Sequence, residues 1–284
     1  MKILIIQERG RHRANEEFRE ALNLSRALKK IGHEGLVWGL NYETPPFDEM
    51  EKKSDAVLLL ENYESGSWVP DLSKIRKLKI FWSIDSHCVL NKHLDTCRKN
   101  LIDIVLCSTY SHMDRFPWTK NFWFPNCYPD DLIKPNWQAE KKWDVGFCGN
   151  IQNRGPWLSR LRKLYGLRTD VMKIGMDMVR AIHSYRIHFN RNIADDLNYR
   201  TFETLGCGTL LITNETDQLS DLFEIGNHLV TYDSPEDLHD KIDYYLAHPD
   251  IANRIARLGY AHASTHHTYV ARAKKLIKII EENI

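Results

Sequence analysis

The chain of 284 residues is longer than one ordinary α/β domain and suits two domains of roughly 130 to 150 residues each. Its 39 lysines and arginines balance 38 acids, which excludes a chain-wide charge that would attract nucleic acid or an anionic membrane. No apolar stretch approaches the roughly 20 residues that a membrane-spanning helix needs. The opening MKILIIQERG is too short for a signal peptide and predicts a β-strand.

The N-terminal half alternates short apolar runs with amphipathic stretches, a pattern typical of a parallel sheet covered by helices. Asn15 is predicted to cap a helix whose apolar positions recur every three or four residues as far as Leu28, and Gly32 to end it. The runs are almost continuously apolar, which predicts strands buried on both faces. The predicted strands are KILII, GLVWGL, DAVLLLE, KIFWSID and DIVLCS.

The segment FWFPNCYPDDLIKPNW contains three prolines, and proline restricts both its own backbone and that of the preceding residue. This segment is therefore predicted to be a stiff connector, with the domain boundary near residue 135. A second alternation of strands and helices follows it.

The C-terminal half is predicted to form a second parallel α/β unit. One helix contains Trp157 and Leu161, a second is RTFETLGCG, and a third starts at Pro235, which suits the first helical position. The last thirty or so residues are predicted to be helical throughout. Two such units in tandem predict a ligand-binding cleft at the carboxyl ends of their strands. The predicted strands are WDVGFCGN, YRIHFN, TLLITN and HLVTYD.

The turn VGFCGNIQNRGPW is the first candidate for binding chemistry. A strand is predicted to end at Gly149 and Asn150, and a helix to begin at Pro156, where free N–H groups favour a phosphate. The helix dipole supplies about 0.3–1 kcal/mol, whereas a charge-assisted hydrogen bond from arginine supplies about 1.5–3 kcal/mol. Arg154 is therefore predicted to be the main diphosphate contact. The alternative is a surface loop with a solvated arginine.

The stretch HFNRNIADDLNYRTFETLGCG is the second candidate. Asp195 or Asp196 is predicted to cap its helix, which places Arg200 and Glu203 one turn apart; Asp195 and Glu203 share a face if the helix starts early. Carboxylates accept the paired hydroxyls of a sugar, and an arginine binds diphosphate. The alternative is an ion-pair ladder on the helix surface.

The stretch FWSIDSH places Asp85 and His87 at the end of a predicted strand, at the edge of the expected cleft. Either side chain could accept a proton from an acceptor substrate. The alternative is that Asp85 and the next serine cap the following helix. The loop ERGRHRAN and its three arginines are similarly placed, either facing the substrates or solvated.

The cysteines and histidines do not form a metal-binding pattern. The six cysteines include no Cys-x-x-Cys pair, and His266 and His267 have no acidic partner at metal-ligand spacing. We therefore expect no metal, and cytoplasmic localisation in a reducing compartment.

Several stretches together resemble the CgeB-like glycosyltransferases, of the spore maturation protein type, with their glycosyltransferase-type C-terminal domain. The resemblance covers most of the chain in order and is strongest from residue 143 onward. The matching stretches are FWSIDSH, DIVLCSTYSHMDRF, FWFPNCYPDDLI, WDVGFCGNIQNRGPWLSRL, HFNRNIADDLNYRTFETLGCGTLLITNE, HLVTYDSPEDLHDKIDYYLAHP and HTYVARAKKLI.

The resemblance implies the α/β fold called GT-B, in which two Rossmann-like domains face a central cleft. Residues 1–135 would form the acceptor-side domain, residues 136–264 the nucleotide-sugar domain, and residues 265–284 a helix that crosses back to the N-terminal domain. It also implies metal-independent transfer from a nucleoside-diphosphate sugar, with no cofactor besides that donor.

The resemblance also implies roles for particular residues. A donor-binding Glu-x7-Glu pattern maps onto Asp195 and Glu203, where the first position departs from glutamate. Glu203 would hold the nucleotide ribose, and Arg154 and Arg200 would neutralise the departing diphosphate. Asn198 completes the nucleotide-binding set, together with Gly149 and Asn150.

The predicted function is therefore transfer of a sugar from a nucleoside-diphosphate sugar to a protein, a glycan or a modified base in DNA. Two alternatives keep the same fold. One is a non-catalytic sugar-nucleotide-binding or assembly protein, and the other is a nucleotide-sugar epimerase.

Overall fold

The computed structural model describes residues 1–62 and 66–284, which form two compact units. Unit 1 comprises Met1–Asn126 and Tyr269–Ile284, and unit 2 comprises Cys127–Thr268. Each unit contains one parallel β-sheet with helices packed against it. The α/β architecture predicted from the alternation of apolar runs and amphipathic stretches is confirmed.

The strands of the described residues follow the order of the predicted apolar runs. They are β1 Lys2–Ile6, β2 Glu34–Trp38, β3 Ala56–Leu60, β4 Leu78–Ser83, β5 Ile104–Cys107, β6 Lys120–Trp123, β7 Trp143–Cys148, β8 Arg168–Asp170, β9 Tyr185–Phe189, β10 Leu210–Asn214 and β11 Val230–Tyr232.

The helices of the described residues lie between and after these strands. They are α1 Glu20–Lys30, α2 Phe47–Lys53, α3 Ser86–Asn100, α4 Gly155–Tyr165, α5 Met176–His183, α6 Tyr199–Gly206, α7 Leu219–Leu222, α8 Pro235–Ala247, α9 Pro249–His266 and α10 Tyr269–Glu281. None of them is long and apolar enough to cross a membrane.

The sheet of unit 1 has six parallel strands in the order β2-β1-β3-β4-β5-β6. Strand β3, AVLLL, is buried at every position, as expected for a strand covered by helices on both faces. Strand β6 was not predicted, because its sequence KNFW is short and adjoins the proline-rich segment. It pairs with β5 in parallel and forms the sheet edge.

Helix α1 begins later than predicted. Asn15 does not cap it, since Arg13–Phe18 form a 3-10 turn and α1 starts at Glu20. The backbone of Arg19 is extended, and its buried guanidinium lies 3.3 Å from the Glu20 carboxylate and 3.7 Å from that of Glu8. This ionic contact fixes an extended residue immediately before the helix.

The C-terminal helix α10 belongs to unit 1 and packs against α1. Its buried Arg272 donates hydrogen bonds to the carbonyl oxygens of Pro125 and Asn126, at 2.6 and 2.9 Å. The last thirty or so residues are almost all helical, as predicted, but His267 and Thr268 separate α9 from α10. The His267 carbonyl instead accepts a hydrogen bond from the Tyr128 backbone N–H, which interrupts helical pairing there.

The sheet of unit 2 has five parallel strands in the order β11-β10-β9-β7-β8. Its core contains apolar residues of β7, β9, α4 and α9, including Phe147, Phe189 and Leu161. Strand β8 and helix α5 were not predicted. Strand β8 is only three residues long and has the polar sequence Arg-Thr-Asp, and α5 has only eight residues. The order of the strands brings the carboxyl ends of β7, β9 and β10 side by side.

Candidate functional site

The carboxyl edge of the unit 2 sheet carries a group of polar residues. Asn190 and Arg191 follow β9 directly, and Asn214 ends β10. The turn after β7 contains Gly149 and Asn150 and leads into α4. In parallel α/β sheets this edge is where ligands bind, because loops and helix N-termini meet there.

The turn between β7 and α4 is held by local hydrogen bonds. The Asn150 side-chain oxygen accepts from the Gln152 backbone N–H at 2.9 Å, and the Asn150 carbonyl accepts from the Arg154 guanidinium at 2.9 Å. Arg154 occupies the residue before α4, and Pro156 lies in the first turn, as predicted. The Arg154 side chain is therefore hydrogen-bonded to the backbone of the turn.

Arg154 is buried, with 8% of its surface exposed, which excludes the alternative of a solvated loop arginine. Its Nε donates to the Arg191 carbonyl at 2.9 Å. Within residues 1–62 and 66–284, no carboxylate forms an ion pair with it. Backbone carbonyls solvate the guanidinium, but they do not neutralise its positive charge as a paired carboxylate would.

Two more cations lie close to Arg154. Burial lowers the pKa of the Arg154 guanidinium, and the nearby Arg191 and Arg200 lower this pKa further, against opposing effects of Tyr232 and Asp196. Arg191 lies 4.4 Å above the Trp157 ring and donates to the Tyr232 hydroxyl at 3.4 Å. Three guanidinium groups therefore lie close together at the edge of this sheet, with the Glu203 carboxylate paired to Arg200 and the Asp196 carboxylate nearby.

Arg200 and Glu203 form an ion pair one turn apart on α6. The pair is not the exposed ladder of the alternative interpretation, since the side chains are 22% and 9% exposed. Arg200 Nε also donates to the Cys148 carbonyl at 3.0 Å, which joins α6 to the end of β7. Burial alone would lower the pKa of Arg200, but the Glu203 carboxylate outweighs it and raises that pKa.

The start of α6 differs from the prediction. Neither Asp195 nor Asp196 caps the helix, because the residue before it is Asn198 and the first helical residue is Tyr199. Asp195 is exposed in the preceding turn, where Ala194 has a positive φ of 54°, so Asp195 and Glu203 do not share a helix face.

Amide hydrogen bonds explain this late start. The Asn192 side-chain oxygen accepts from the Asn198 backbone N–H at 3.3 Å, and the Asn192 backbone N–H donates to the Asn214 side chain at 2.6 Å. Asn190 and Asn198 also exchange side-chain hydrogen bonds, at 3.3 and 3.4 Å. These contacts hold Asn198 against the sheet edge and delay the helix until the next residue.

Sequence reasoning missed His188, which lies fully buried in β9 behind the arginines. Its Nε2 accepts from the Cys148 backbone N–H at 3.1 Å, so its Nδ1 carries the proton and donates to Thr204 Oγ1 at 2.6 Å. Thr204 in turn donates to the Arg200 carbonyl at 2.5 Å. Burial, and then Arg200, lower the pKa of His188 to about 3, so the imidazole is neutral. A polar residue inside the apolar run YRIHFN was the available signal.

The corresponding edge of the unit 1 sheet carries several acids, one of which, Glu8, lies near the buried Arg19. Glu8 follows β1 by two residues, Glu61 follows β3, and Asp85 follows β4. The Glu61 carboxylate accepts from the backbone N–H groups of Ile84 and Asp85, at 3.1 and 2.7 Å. The partly buried Glu61 carboxylate thus holds the backbone of the turn that contains Asp85.

Asp85 is the residue before α3, but its side chain makes no capping hydrogen bond within the described residues. The capping alternative therefore does not account for its carboxyl group. Burial, and then the nearby Glu61 and Glu20 carboxylates, raise the pKa of Asp85 to about 7. A carboxyl group with that pKa is well matched to accept a proton near neutral pH. His87 lies in the first turn of α3, half-buried.

Glu61 remains ionised because it has compensating partners. Its burial would raise its pKa, but His93 and the two backbone N–H groups outweigh that effect and lower the pKa. His93 Nε2 lies 3.1 Å from Glu61, and His93 Nδ1 lies 2.8 Å from Ser83 Oγ. At this edge the pKa of Glu61 is therefore lowered, whereas that of Asp85 is raised.

Known structures share this fold over their full length. Anabaena Alr3699/HepE, in complex with UDP and glucose, has a TM-score of 0.65 at 13% identity, covering 99% of this chain and 100% of that chain. An alpha-glucosyltransferase in complex with UDP and a 13-mer DNA containing an HMU base has a TM-score of 0.70 at 12% identity, covering 99% of each chain. The T4 phage beta-glucosyltransferase has a TM-score of 0.71 at 15% identity, also covering 99% of each chain. The shared fold is GT-B.

A family model described as "Glycosyl transferase-like" matches residues 141–278. The protein is a glycosyltransferase. The match includes both the Arg154 turn and the Arg200–Glu203 pair. The GT-B fold and the glycosyltransferase class predicted from the resemblance are therefore confirmed. Among curated proteins, no sequence matches this chain.

Glu203→Ala is expected to destabilise the glycosyltransferase, because it leaves the largely buried Arg200 without its carboxylate. Removing one partner of such a pair lowers the free energy of unfolding by about 2–4 kcal/mol. Urea unfolding followed by circular dichroism measures this change. The matched control is Asp177→Ala, which breaks an exposed pair with Arg180 at the same spacing and should cost less than about 1 kcal/mol. Equal effects of the two substitutions would contradict this account of Glu203.

The carboxyl group of Asp85 is expected to titrate near pH 7 in the glycosyltransferase. Glu61→Gln should lower the pKa of Asp85, because the amide removes the neighbouring negative charge while its oxygen can still accept the backbone hydrogen bonds. Carbon-13 NMR of labelled aspartate side chains measures both values, with Asp85→Asn to assign the signal. Asp71→Asn is the control, since Asp71 lies on the surface of the same unit. An Asp85 pKa near 4 in the unsubstituted protein would contradict this electrostatic account.

Proposed function

We propose that the chain transfers a sugar from a nucleoside-diphosphate sugar to an acceptor hydroxyl, with the donor bound by unit 2. The observation that carries this proposal is the buried Arg154, which forms no ion pair within the described residues and lies beside Arg191 and Arg200. A buried cation without a carboxylate is costly, and a bound diphosphate would compensate the charge of Arg154 while also lying near Arg191 and Arg200.

The chemistry of transfer fits a cationic edge. The bond between the sugar carbon and the diphosphate oxygen breaks, and that oxygen gains negative charge in the transition state. Fixed arginines aimed at the departing diphosphate stabilise this charge more than they stabilise the bound donor. In this proposal, Arg154 and Arg200 do the work that a metal ion does in other enzymes, so transfer needs no metal.

The remaining unit 2 residues would position the donor. One Glu203 oxygen pairs with Arg200, and its other oxygen would accept the hydroxyls of the nucleotide ribose. The turn at Gly149 and Asn150 would approach the phosphates through its backbone. Asn198, immediately before α6, and the exposed Asp195, in the preceding turn, would contact the sugar.

The acceptor chemistry is assigned to unit 1. Asp85 would take the proton from the acceptor hydroxyl while that oxygen forms its bond to the sugar carbon, and His87 is the second candidate for this role. The acceptor is proposed to be a protein, a glycan or a modified DNA base. One structural neighbour was solved with UDP and DNA containing an HMU base, which supports including DNA among the acceptors tested.

Uridine is the first donor base to test, because several structural neighbours were solved with UDP. The CgeB-like subtype and a cytoplasmic location remain predictions from the sequence. A non-catalytic binding protein and a nucleotide-sugar epimerase are the alternative functions, and assays of binding and turnover distinguish them.

UDP is expected to stabilise the protein against heat, by about 2.7 kcal/mol at 100 times its Kd. Arg154→Ala should raise the UDP Kd by about 10- to 100-fold, because it removes a charge-assisted contact. Calorimetric titration and thermal unfolding measure the two effects. Arg160→Ala is the matched control, since Arg160 lies on α4 and pairs with Glu236 at the surface. If no nucleoside diphosphate binds, or if both variants bind alike, the donor site is assigned incorrectly.

UDP-glucose with a mixture of protein, glycan and hydroxymethylated DNA acceptors is expected to yield UDP and a glycosylated product. Asp85→Asn should lower kcat by about 100-fold or more while leaving the UDP Kd unchanged. The unsubstituted rate should rise as pH increases through about 7, because the base must be ionised. EDTA should leave the rate unchanged. Binding without turnover would favour the non-catalytic alternative, a changed sugar without transfer would favour the epimerase, and inhibition by EDTA would contradict metal independence.

A further inference from the structure

Unit 2 contains a pocket at the amino edge of its sheet. The pocket has a volume of about 270 Å³ and includes Arg186 and Ile187 near the start of β9, and Leu210 at the start of β10. Arg154 and Arg191 follow the other ends of β7 and β9, at the carboxyl edge. The proposed donor site and this pocket are therefore on opposite edges of the same sheet.

The pocket is electropositive. Lys141, Arg186 and Arg257 line it, and its lining includes no aspartate or glutamate. Arg186 pairs with the exposed Asp144 at 3.4 Å. Neither Lys141 nor Arg257 forms an ion pair with an acid in the part of the chain that the structure describes.

Lys141 is held in place without a negative partner. Its Nζ donates to the His183 carbonyl at 3.0 Å, and burial lowers the pKa of its ammonium group. The N-terminal turn of α9 adds the positive end of an 18-residue helix, because Pro249 and Ala252 also line the pocket. An anion in the pocket would compensate the Lys141 charge and lie near the positive end of α9.

Aromatic and amide groups complete the walls. The Arg257 guanidinium lies 4.3 Å from the Trp137 ring centre, and Tyr245 lines another part of the pocket. Gly208 has a φ of 67°, and a Cβ there would come within 2.6 Å of the Trp137 ring. The indole is therefore packed on backbone that only glycine provides. The Asn253 side chain offers both a donor and an acceptor to hydroxyl groups.

We infer that this pocket binds a sugar phosphate, with the phosphate between Lys141 and Arg257 and the sugar against Trp137 and Asn253. The volume is below the usual range of about 300–1,000 Å³ for drug-sized ligands, which suits a monosaccharide better than a nucleotide. Amide groups and an aromatic face suit a ring with several hydroxyls. This site is independent of the proposed donor site, since the two share no residue.

The test is calorimetric titration of the full chain with glucose 6-phosphate, with and without saturating UDP. Saturable binding is expected under both conditions, with inorganic phosphate and glucose each binding more weakly. Lys141→Gln and Arg257→Ala should each weaken binding by about tenfold or more, because each removes one charge-assisted contact. Lys163→Ala is the control, since Lys163 is exposed on α4 and does not line the pocket.

Three results would overturn the inference. They are no saturable binding of glucose 6-phosphate, loss of its binding when UDP is saturating, and unchanged binding in both pocket variants. Arg257 is exposed, so Arg257→Ala remains informative even if Lys141→Gln does not fold. UDP binding is measured separately in the same samples, so a failed donor site and a failed sugar-phosphate site give different results.

Discussion

The hydrogen bond from Arg200 to the Cys148 carbonyl connects the beginning of α6 to the end of β7, and the geometry of the cationic edge depends on it. Glu203 holds the same guanidinium from the other side, and the neutral His188 connects the Cys148 backbone N–H to Thr204 on α6. Two strands and one helix are thereby fixed relative to one another by buried polar contacts. Such contacts are specific in geometry because a partly satisfied buried network is costly.

This arrangement explains how Arg154 can remain buried and charged. Its guanidinium is solvated by carbonyl oxygens of Asn150 and Arg191, which replace water without cancelling the charge. Those carbonyls are in place only because the β7 turn and the end of β9 are held rigidly. A binding site of this kind is preorganised, so little conformational entropy is lost when an anion binds.

The carboxyl edges of the two similar sheets carry different charged side chains. At the carboxyl edge, unit 2 gathers arginines and unit 1 gathers carboxylates, with Asp85 near Glu61 and Glu20. In unit 1, His93 and two backbone N–H groups lower the pKa of Glu61. Burial, and then the Glu61 carboxylate, raise the pKa of Asp85. A shared fold therefore does not determine the charge of an edge. The side chains that follow each strand determine it.

The amino-acid sequence by itself determined the strands, the order of the two α/β units and several helix ends. Strands such as β3 are apolar at every position because both faces are covered, and α8 begins at a proline after Ser234, which caps it. These features depend on neighbours along the chain, so local patterns reveal them. The same local patterns also placed Arg154, Glu203 and Asp85 after strands or on adjoining helices. The short strands β6 and β8 carried too weak a pattern.

Only the tertiary structure decided how these residues are paired and buried. The late start of α6 depends on contacts of Asn198 with Asn190 and Asn192, and the extended Arg19 depends on two carboxylates, one of them eleven residues earlier. The raised pKa of Asp85 depends on its burial and then on Glu61, and the proposed sugar-phosphate pocket depends on Lys141 and Arg257 lining the same cavity. Residues that are distant in sequence come into contact only in the folded structure, and their burial and pKa values depend on those contacts.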